Sequence, residues 1–273
     1  MPRLTSEDKI KYEIDGPFFI IKFVNPNTLN SMTRDDYLYI GQLLEKAENE
    51  SSVYFTVLQS TGRFFSSGAD FQGIAKNAAE SKDPELNKWL SNFVSTNLYV
   101  TDTFARHSKV LICCMNGPSI GMTAAIVALC DIVYSMNDSV YLHYPFASLG
   151  LITEGGTSAT LPAKIGNNAT YENLIFNQPI RYNTLKGNIV CKNYDMKDTN
   201  EFNTKVISDL KQKIRTLHLP SCLGMKKLVH SSLRDEIVRL NSLEVTDALK
   251  FWMEGEPQRR FRQLELKERS HKL

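Results

Sequence analysis

Glu154 is the residue with the clearest capacity for acid–base chemistry in this sequence. It lies within Leu149–Thr157, with apolar residues on one side and two glycines on the other. Apolar surroundings raise the pKa of a carboxyl group because burial disfavours the charged form, and a raised pKa suits a general base. Glu154 also precedes a predicted helix, Thr157–Ile165, where the helix dipole alone favours an acidic residue. The local sequence therefore leaves two roles open, a catalytic base and a capping residue.

Two other segments are rich in small residues and can present backbone N–H donors. The first, Arg63–Phe71, follows a predicted strand, and its glycine and serines let a ligand approach the backbone closely. A simple glycine turn is the alternative interpretation of this segment. The second, Asn116–Met122, leads from a strand into an apolar helix. The first N–H groups of that helix, including the N–H of Met122, favour negative charge.

The second segment also contains the pattern G-x-S-x-G, with Ser119 at its centre. In α/β-hydrolases this pattern carries a nucleophilic serine on a strand–turn–helix, which is the context predicted here. Such an enzyme needs a histidine downstream, and the candidates are His218 and His230. Both fall in a region with helical spacing, and no HGGG-type segment precedes Ser119. A serine hydrolase is kept as an alternative.

The elements that must position these groups alternate between strands and helices. The predicted strands are Pro17–Val24, Val53–Leu58, Val110–Met115 and Ile132–Ser135. A helix begins at Thr33, with Asp36 completing a capping box, and Met122–Leu129 forms another. Nearly continuous apolar strands separated by helices indicate a mostly parallel sheet covered on both faces. The fold class is therefore α/β.

The pattern changes near residue 200, where apolar residues recur at helical spacing. The predicted C-terminal helices include Leu223–Val229, Leu233–Phe251 and Pro257–Leu266. We therefore divide the chain into a core of residues 1–199, which carries the site, and a helical region of residues 200–273.

Composition excludes several classes of protein. The chain has 273 residues and a formal net charge of +2, which argues against a nucleic-acid binder because that needs a clustered basic surface. Ser119–Met136 is almost entirely apolar, but Asp131 and the preceding glycine–proline break favour a buried helix and strand over a membrane span. The 5 cysteines form no CxxC pair, which suits a reducing compartment, and the 5 histidines show no metal-ligand spacing.

In order and spacing, three stretches together resemble the crotonase (enoyl-CoA hydratase/isomerase) superfamily. They read SSGADF from Ser66, NGPSIG…ALCDIVY from Asn116 and LGLITEGG from Leu149. The resemblance covers roughly Pro17 to the C-terminus. It implies a core of stacked ββα turns, a C-terminal helical region used for trimerisation, and acyl-CoA thioesters as substrates.

The resemblance also implies roles for individual residues. The backbone N–H groups of Ala69 and Met122 correspond to the family's oxyanion hole, and Arg63 lies where the family often has a basic residue near the CoA phosphates. Asn97 corresponds to a pocket residue that holds a water or orients the base. The CoA-binding loop corresponds to Ser67, Gly68, Ala69, Asp70 and Phe71. No cofactor is expected, because coenzyme A is part of the substrate.

Two departures from the family's hydratase pattern narrow the expected activity. Hydratases carry two catalytic glutamates, and the matching positions here are Ala125 and Phe146. Glu154, in a TEGG stretch, remains, and this arrangement resembles the fungal isomerase branch of the superfamily. Moving a double bond from C3 to C2 of a fatty enoyl-CoA needs one base, whereas hydration needs two groups. A dienoyl-CoA isomerase, which generally uses additional carboxylates, and a non-catalytic family member are the alternatives.

The sequence ends in His271-Lys272-Leu273, which resembles a peroxisomal address of the SKL type. Together with the family resemblance, this tripeptide implies a peroxisomal matrix protein that is recognised by an import receptor. The resemblance further implies a homotrimer or homohexamer in β-oxidation of fatty acids.

Overall fold

The computed structural model describes residues 4–70 and 85–266. Its strands are β1 Ile10–Asp15, β2 Phe18–Phe23, β3 Phe55–Ser60, β4 Val110–Met115, β5 Ser119–Ile120, β6 Ile132–Ser135, β7 Tyr141–His143, β8 Ile180–Arg181 and β9 Val190–Asn193. Within the described residues, a 6-stranded sheet has the order β1-β2-β3-β4-β6-β9, and a 3-stranded sheet has the order β5-β7-β8. All neighbours in the larger sheet are parallel except β1 and β2.

The helices surround these two sheets and form the C-terminal region. They are α1 Ser6–Lys9, α2 Arg34–Asn49, α3 Glu85–Trp89, α4 Ser95–Arg106, α5 Met122–Leu129, α6 Thr157–Ile165, α7 Asn167–Ile175, α8 Tyr182–Leu185, α9 Thr199–Ile214, α10 Leu219–Glu254 and α11 Glu256–Glu265. A wider π-helical turn, Leu90–Val94, joins α3 to α4. Short 3₁₀ turns lie at Pro26–Thr28 and Ala147–Leu149.

The central strands are buried on both faces, as the nearly continuous apolar runs predict. Every residue of β3 and β4 is buried. Side chains alternate between two hydrophobic cores, with Leu58 and Cys113 in one and Val57 and Ile112 in the other. The α/β fold class and the predicted strand β4 are confirmed.

The apolar stretch Ser119–Met136 folds as β5, α5 and β6. All residues of α5 are buried, because this helix packs inside the larger of the two cores. Among residues 4–70 and 85–266, we find no helix with both the length and the apolar character needed to cross a bilayer.

The helix α2 confirms the predicted capping box. The Thr33 N–H donates to Asp36 Oδ2 at 2.7 Å, and the Thr33 hydroxyl accepts from the Asp36 N–H at 3.3 Å. The helix packs against α4 and turns its apolar stripe inward. The buried members of that stripe are Tyr37, Ile40, Leu43, Leu44 and Ala47.

One helix replaces two predicted C-terminal helices. Leu223–Val229 and Leu233–Phe251 belong to the 36-residue helix α10. The apolar periodicity lapses between them because Ser231 and Ser232 are exposed, yet the backbone continues as a helix. Since α10 packs against α4 and α6, its C-terminal half lies beside the loop that carries Glu154.

Candidate active site

A cavity of about 690 Å³ brings the predicted segments together. Its walls come from both small-residue segments, from α2 and α4, and from the loop before α6. Predicted site residues that line it are Ser67, Gly68, Ala69, Asp70, Asn97, Met122 and Glu154. Arg63 is not among the described lining residues, and Phe71 lies outside the described part of the chain.

Glu154 is partly buried and lines the cavity. The pKa of its carboxyl group is raised to about 7: burial is the largest cause, the nearby Glu244 carboxylate adds to the rise, and a hydrogen bond from Asn97 opposes it. A carboxyl group with a pKa near 7 exchanges a proton with little driving force in either direction near neutral pH. This position and pKa favour a general base over a capping residue.

The two glycines after Glu154 allow its loop to pack against α5 and α10. Gly155 and Gly156 have φ of 70° and 71°, in the left-handed region that other residues rarely adopt. A Cβ at Gly155 would lie 2.7 Å from Ala125 Cβ and 2.8 Å from Met122 Sδ. A Cβ at Gly156 would lie 2.8 Å from Ile237 Cγ2. The close packing places Glu154 beside the N-terminus of α5.

The loop that carries Ala69 packs directly on β5. Gly68 has φ of 84°, and a Cβ there would lie 2.6 Å from the carbonyl oxygen of Ile120. The Ile120 N–H donates to Ser66 O at 3.1 Å, so the two segments are hydrogen-bonded. On the other side, Met32 donates to Gly68 O at 2.9 Å. These contacts hold Ala69 between α2 and the start of α5.

The two predicted oxyanion donors are the backbone N–H groups of Ala69 and Met122. The N–H of Met122 is the first of α5, where no intrahelical acceptor exists. Neither it nor the N–H of Ala69 has an acceptor among the described residues. Because both residues line one cavity with Glu154, the site can stabilise a negative oxygen and move a proton.

Asn97 lies on α4, where its side chain is buried. Its amide donates to Phe93 O at 3.4 Å and also hydrogen-bonds the Glu154 carboxyl group, which lowers the pKa of Glu154. The Asn97 side-chain oxygen has no partner among the described residues. Asn97 can therefore orient the base and still accept a bond from a bound water.

The proposed CoA loop lies at the cavity with its backbone anchored on both sides. Ser67 donates through its N–H to Leu29 O at 2.9 Å, and Asp70 donates to Met32 O at 2.8 Å. The Arg63 side chain is exposed and its guanidinium lies 5.4 Å from the ring centre of Phe64, which lines the cavity.

The positions of the two missing hydratase carboxylates are both apolar and buried. Ala125 lies in α5 and contacts the Glu154 loop, and Phe146 lines the cavity. Of the apolar residues near Glu154, Leu149 and Leu151 also line the cavity. Ile152 is not among the described lining residues and packs against the aromatic cluster that includes Trp89 and Trp252.

Sequence reasoning missed an aromatic wall of the cavity. Trp89 stacks on Trp252 with ring centres 4.5 Å apart, and Phe261 lies 6.1 Å from Trp252. These rings come from α3, α10 and α11, so no local pattern connects them. Together with Phe93 they form an apolar surface suited to an alkyl chain.

Ser119 is unsuited to act as a nucleophile. Its side chain is fully buried in β5, and its hydroxyl has no hydrogen-bond partner among the described residues. The proposed partners bond elsewhere, His218 to Ser221 Oγ at 2.8 Å and His230 to Ala105 O at 3.1 Å. The G-x-S-x-G match is therefore a turn between β4 and α5. The described residues also contain no group of three or more His, Cys, Asp or Glu side chains that could hold a metal ion.

An α/β fold whose cavity contains the Glu154 carboxyl group and two backbone N–H groups without a described acceptor can support proton transfer next to a carbonyl oxygen. The family model described as Enoyl-CoA hydratase/isomerase matches residues 13–217. The chain belongs to the enoyl-CoA hydratase/isomerase family.

Relatives within this family are similar over almost the whole chain. The chain is 56% identical to "3,2-trans-enoyl-CoA isomerase" of Saccharomyces cerevisiae, covering 99% of both chains. It is 47% identical to "Delta(3,5)-Delta(2,4)-dienoyl-CoA isomerase" of the same organism, covering 97% of this chain and 99% of the relative. A solved enoyl-CoA hydratase/isomerase from Mycobacterium paratuberculosis superposes with a TM-score of 0.82 at 20% identity, covering 93% and 98% of the two chains. That structure supports the fold alone.

Proposed function

We propose that this protein is a Δ3,Δ2-enoyl-CoA isomerase, which moves a C3 double bond of a fatty acyl-CoA to C2. The observation that carries the proposal is one carboxyl group, Glu154, with a pKa of about 7 in the same cavity as two acceptor-free backbone N–H groups. The isomerase of Saccharomyces cerevisiae at 56% identity supports the same activity.

The proposed reaction is a proton transfer from C2 to C4. The Glu154 carboxylate removes a proton from C2, and the C–H electron pair enters a dienolate whose negative charge lies on the thioester oxygen. The N–H groups of Ala69 and Met122 donate to that oxygen; one such donor is worth about 10²–10³ in rate. Protonated Glu154 then returns the proton to C4, and the double bond forms between C2 and C3. Atoms and charge balance without a cofactor.

The decisive assay uses 3-hexenoyl-CoA and follows the ultraviolet absorbance of the conjugated 2-enoyl thioester. We expect product with the wild-type protein and a loss of at least about 10²-fold with Glu154→Gln, because the general base is removed. Ser119→Ala serves as the matched control and should retain activity. Equal rates for wild type and Glu154→Gln would remove Glu154 from the role of base. A folded wild type that binds CoA esters but forms no product would support the non-catalytic alternative.

A dienoyl-CoA isomerase is the second candidate, and the relative at 47% identity favours testing it. Such an enzyme generally uses additional carboxylates, and Ala125 and Phe146, at the two positions of the hydratase glutamates, do not supply them. We therefore expect a 3-enoyl-CoA to be converted faster than a 3,5-dienoyl-CoA of equal chain length. The opposite order would assign the dienoyl activity.

Binding of coenzyme A is proposed for Ser67, Gly68, Asp70 and Phe71, with Arg63 near the phosphates. Arg63→Ala should raise KM for the CoA ester and leave kcat unchanged, because Arg63 is not among the described residues that line the cavity with Glu154. An unchanged KM would remove Arg63 from the CoA site. Activity without added cofactor is expected, since CoA belongs to the substrate.

Self-association as a homotrimer or homohexamer is a further part of the proposal. Large apolar side chains are exposed on α10 and just before it, and such patches mark interaction surfaces. They include Leu217, Met225, Leu228 and Val229. Leu228→Asp with Val229→Asp should yield a smaller particle by light scattering, whereas a monomeric wild type would contradict the proposal.

We also propose that the protein acts in the peroxisomal matrix, in β-oxidation, after recognition by an import receptor. The support is the tripeptide His271-Lys272-Leu273, and a mouse relative is named "Enoyl-CoA delta isomerase 3, peroxisomal". Fluorescent protein fused to the N-terminus should enter peroxisomes, and removal of the tripeptide should leave it in the cytosol. Import without the tripeptide would contradict this interpretation of the signal.

A further inference from the structure

A second carboxylate lies behind Glu154, on the C-terminal helix. Glu244 belongs to α10 and is 5% exposed. It is not among the residues that line the cavity within the described part of the chain, so it does not face the substrate. A buried charge needs hydrogen-bond partners to be tolerated, and the partners of Glu244 are the backbone of the loop that carries the base.

Both carboxylate oxygens of Glu244 accept hydrogen bonds from the start of α6. Gly156 N donates to Oε2 at 2.8 Å, and Ser158 N donates to Oε1 at 2.8 Å. The N-cap of α6 is Gly156, which has no side chain to cap its own helix. Glu244 therefore supplies, from another helix, the cap that local sequence lacks.

The same helix, α10, also hydrogen-bonds to Asn97, which is a second neighbour of Glu154. Asn241, one turn before Glu244, donates to the backbone oxygen of Asn97 at 3.4 Å. Asn97 in turn hydrogen-bonds Glu154. The helix α10 thus bonds to two segments that position Glu154: the loop that follows Glu154, and α4, which carries Asn97.

We infer that Glu244 is a positioning residue for Glu154: it holds the Gly156–Ser158 turn and places a second negative charge behind the base. This inference rests on the proposed function, because it assigns Glu244 to the same proton transfer. The negative charge of Glu244 opposes ionisation of Glu154, so Glu154 stays protonated to a higher pH. Once ionised, the Glu154 carboxylate is then a stronger base.

The electrostatic surroundings of the two carboxyl groups support this role. Burial raises the pKa of Glu244, and the N–H donors of Ser158 and Gly156 oppose that rise. On α2, burial raises the pKa of Tyr37 well above its usual value, so its hydroxyl stays neutral beside Glu154. Ionisable side chains elsewhere on the cavity wall are Arg34, Asp70, Lys88 and His143.

The test separates the charge of Glu244 from its hydrogen bonds. Glu244→Gln removes the charge and leaves one backbone N–H without an acceptor. Glu244→Asp keeps the charge on a shorter side chain. Glu236→Gln is the matched control, because Glu236 lies on the same helix, is only partly buried and pairs with Arg239 at 2.7 Å.

Two readouts are recorded for each variant. The first is the pH profile of kcat/KM with 3-hexenoyl-CoA. The second is the pH titration of the protonated-carboxyl infrared band of Glu154 in the ligand-free protein, assigned as the band missing from Glu154→Gln. The infrared band reports on Glu154 whether or not the protein turns over this substrate.

We expect the titration midpoint of Glu154, in both readouts, to move down by about one pH unit in Glu244→Gln, because a like charge is removed. The titration midpoint of Glu154 should stay unchanged in Glu244→Asp and Glu236→Gln. The plateau of kcat/KM at high pH should fall about 10-fold in both Glu244 variants, because the Gly156–Ser158 turn loses hydrogen bonds. An infrared midpoint in Glu244→Gln equal to that of the wild type would overturn the inference. A shifted midpoint in a protein without isomerase activity would uphold the inference and contradict the proposed function.

Discussion

Gly155 and Ala125 are packed so closely that neither position has room for a larger side chain. A Cβ on Gly155 would lie 2.7 Å from the Ala125 Cβ, well inside the distance at which two carbon atoms repel. Ala125 occupies the position where hydratases of the family carry a glutamate. In this chain the space for that side chain is filled by the backbone of the Glu154 loop. The two arrangements of carboxylates are therefore mutually exclusive here.

Gly155→Ala should lower kcat/KM by about 10², because displacing a catalytic group by about 1 Å costs that much. The new methyl group would push on Ala125 and on Met122 Sδ, which moves both the base and an oxyanion donor. Gly166→Ala is the control, since Gly166 has φ of 78° but open space around it. Steady-state kinetics on both variants makes the comparison, and equal losses would show that backbone strain, not the contact, is responsible.

The rate should depend on pH through a single group with a pKa of about 7. Glu154 acts as a base only when ionised, so kcat/KM should fall about tenfold per pH unit below that value and level off above it. Stopped-flow or steady-state measurements between pH 5 and pH 9 check this. A profile that stays flat down to pH 5 would be incompatible with Glu154 as the base.

Glu154 should also destabilise the folded protein at high pH. Its pKa is about 7 in the folded chain and 4.5 for an unperturbed glutamate, so its contribution to stability is present below pH 4.5 and is lost as pH rises through 7. At pH 8, Glu154→Gln should raise the free energy of unfolding by about 1–3 kcal/mol, and at pH 5 by much less. Urea unfolding at both pH values measures this, with the exposed Glu172→Gln as control. A gain that is independent of pH would point to a packing effect.

Asn97→Ala should shift the pH profile in the direction opposite to Glu244→Gln. The Asn97 amide stabilises the ionised form of Glu154, so its loss should raise the pKa of Glu154 and move the acidic limb to higher pH. Asn173→Ala is a matched control, because Asn173 also donates to a backbone oxygen four residues earlier, Ala169 O at 2.6 Å. Measurement of kcat/KM over the same pH range compares Asn97→Ala with Asn173→Ala. An acidic limb that does not move in Asn97→Ala would exclude Asn97 from orienting Glu154.

Much of the fold follows from local sequence because its signals are short in range. The strand Val110–Met115, the helix Met122–Leu129 and the helix Thr157–Ile165 have the predicted bounds. The strand β1 is absent from the sequence-based expectations, since it is an edge strand with a mostly exposed, polar face that carries little apolar alternation.

Some residues of the candidate site can be predicted from local sequence, and others cannot. Ala69, Met122 and Glu154 are selected by segments with glycines and by a family resemblance, and the structure brings them to one cavity, while their roles stay predictions. Trp252 and Glu244 cannot be found from local patterns. They lie about a hundred residues after Glu154, on α10. The apolar periodicity of that helix predicts which of its faces is buried, but not which loop the face packs against.

The two acceptor-free N–H groups belong to the main chain, and this decides what genetic methods can detect. Alanine scanning truncates side chains, so it would register Glu154 and leave the backbone donors of Ala69 and Met122 in place. Their contribution becomes visible when the N–H itself is removed, by a proline or by exchanging the amide for an ester at position 69 or 122. By the same reasoning, divergent side chains at these two positions in a relative say nothing about whether its oxyanion hole is intact.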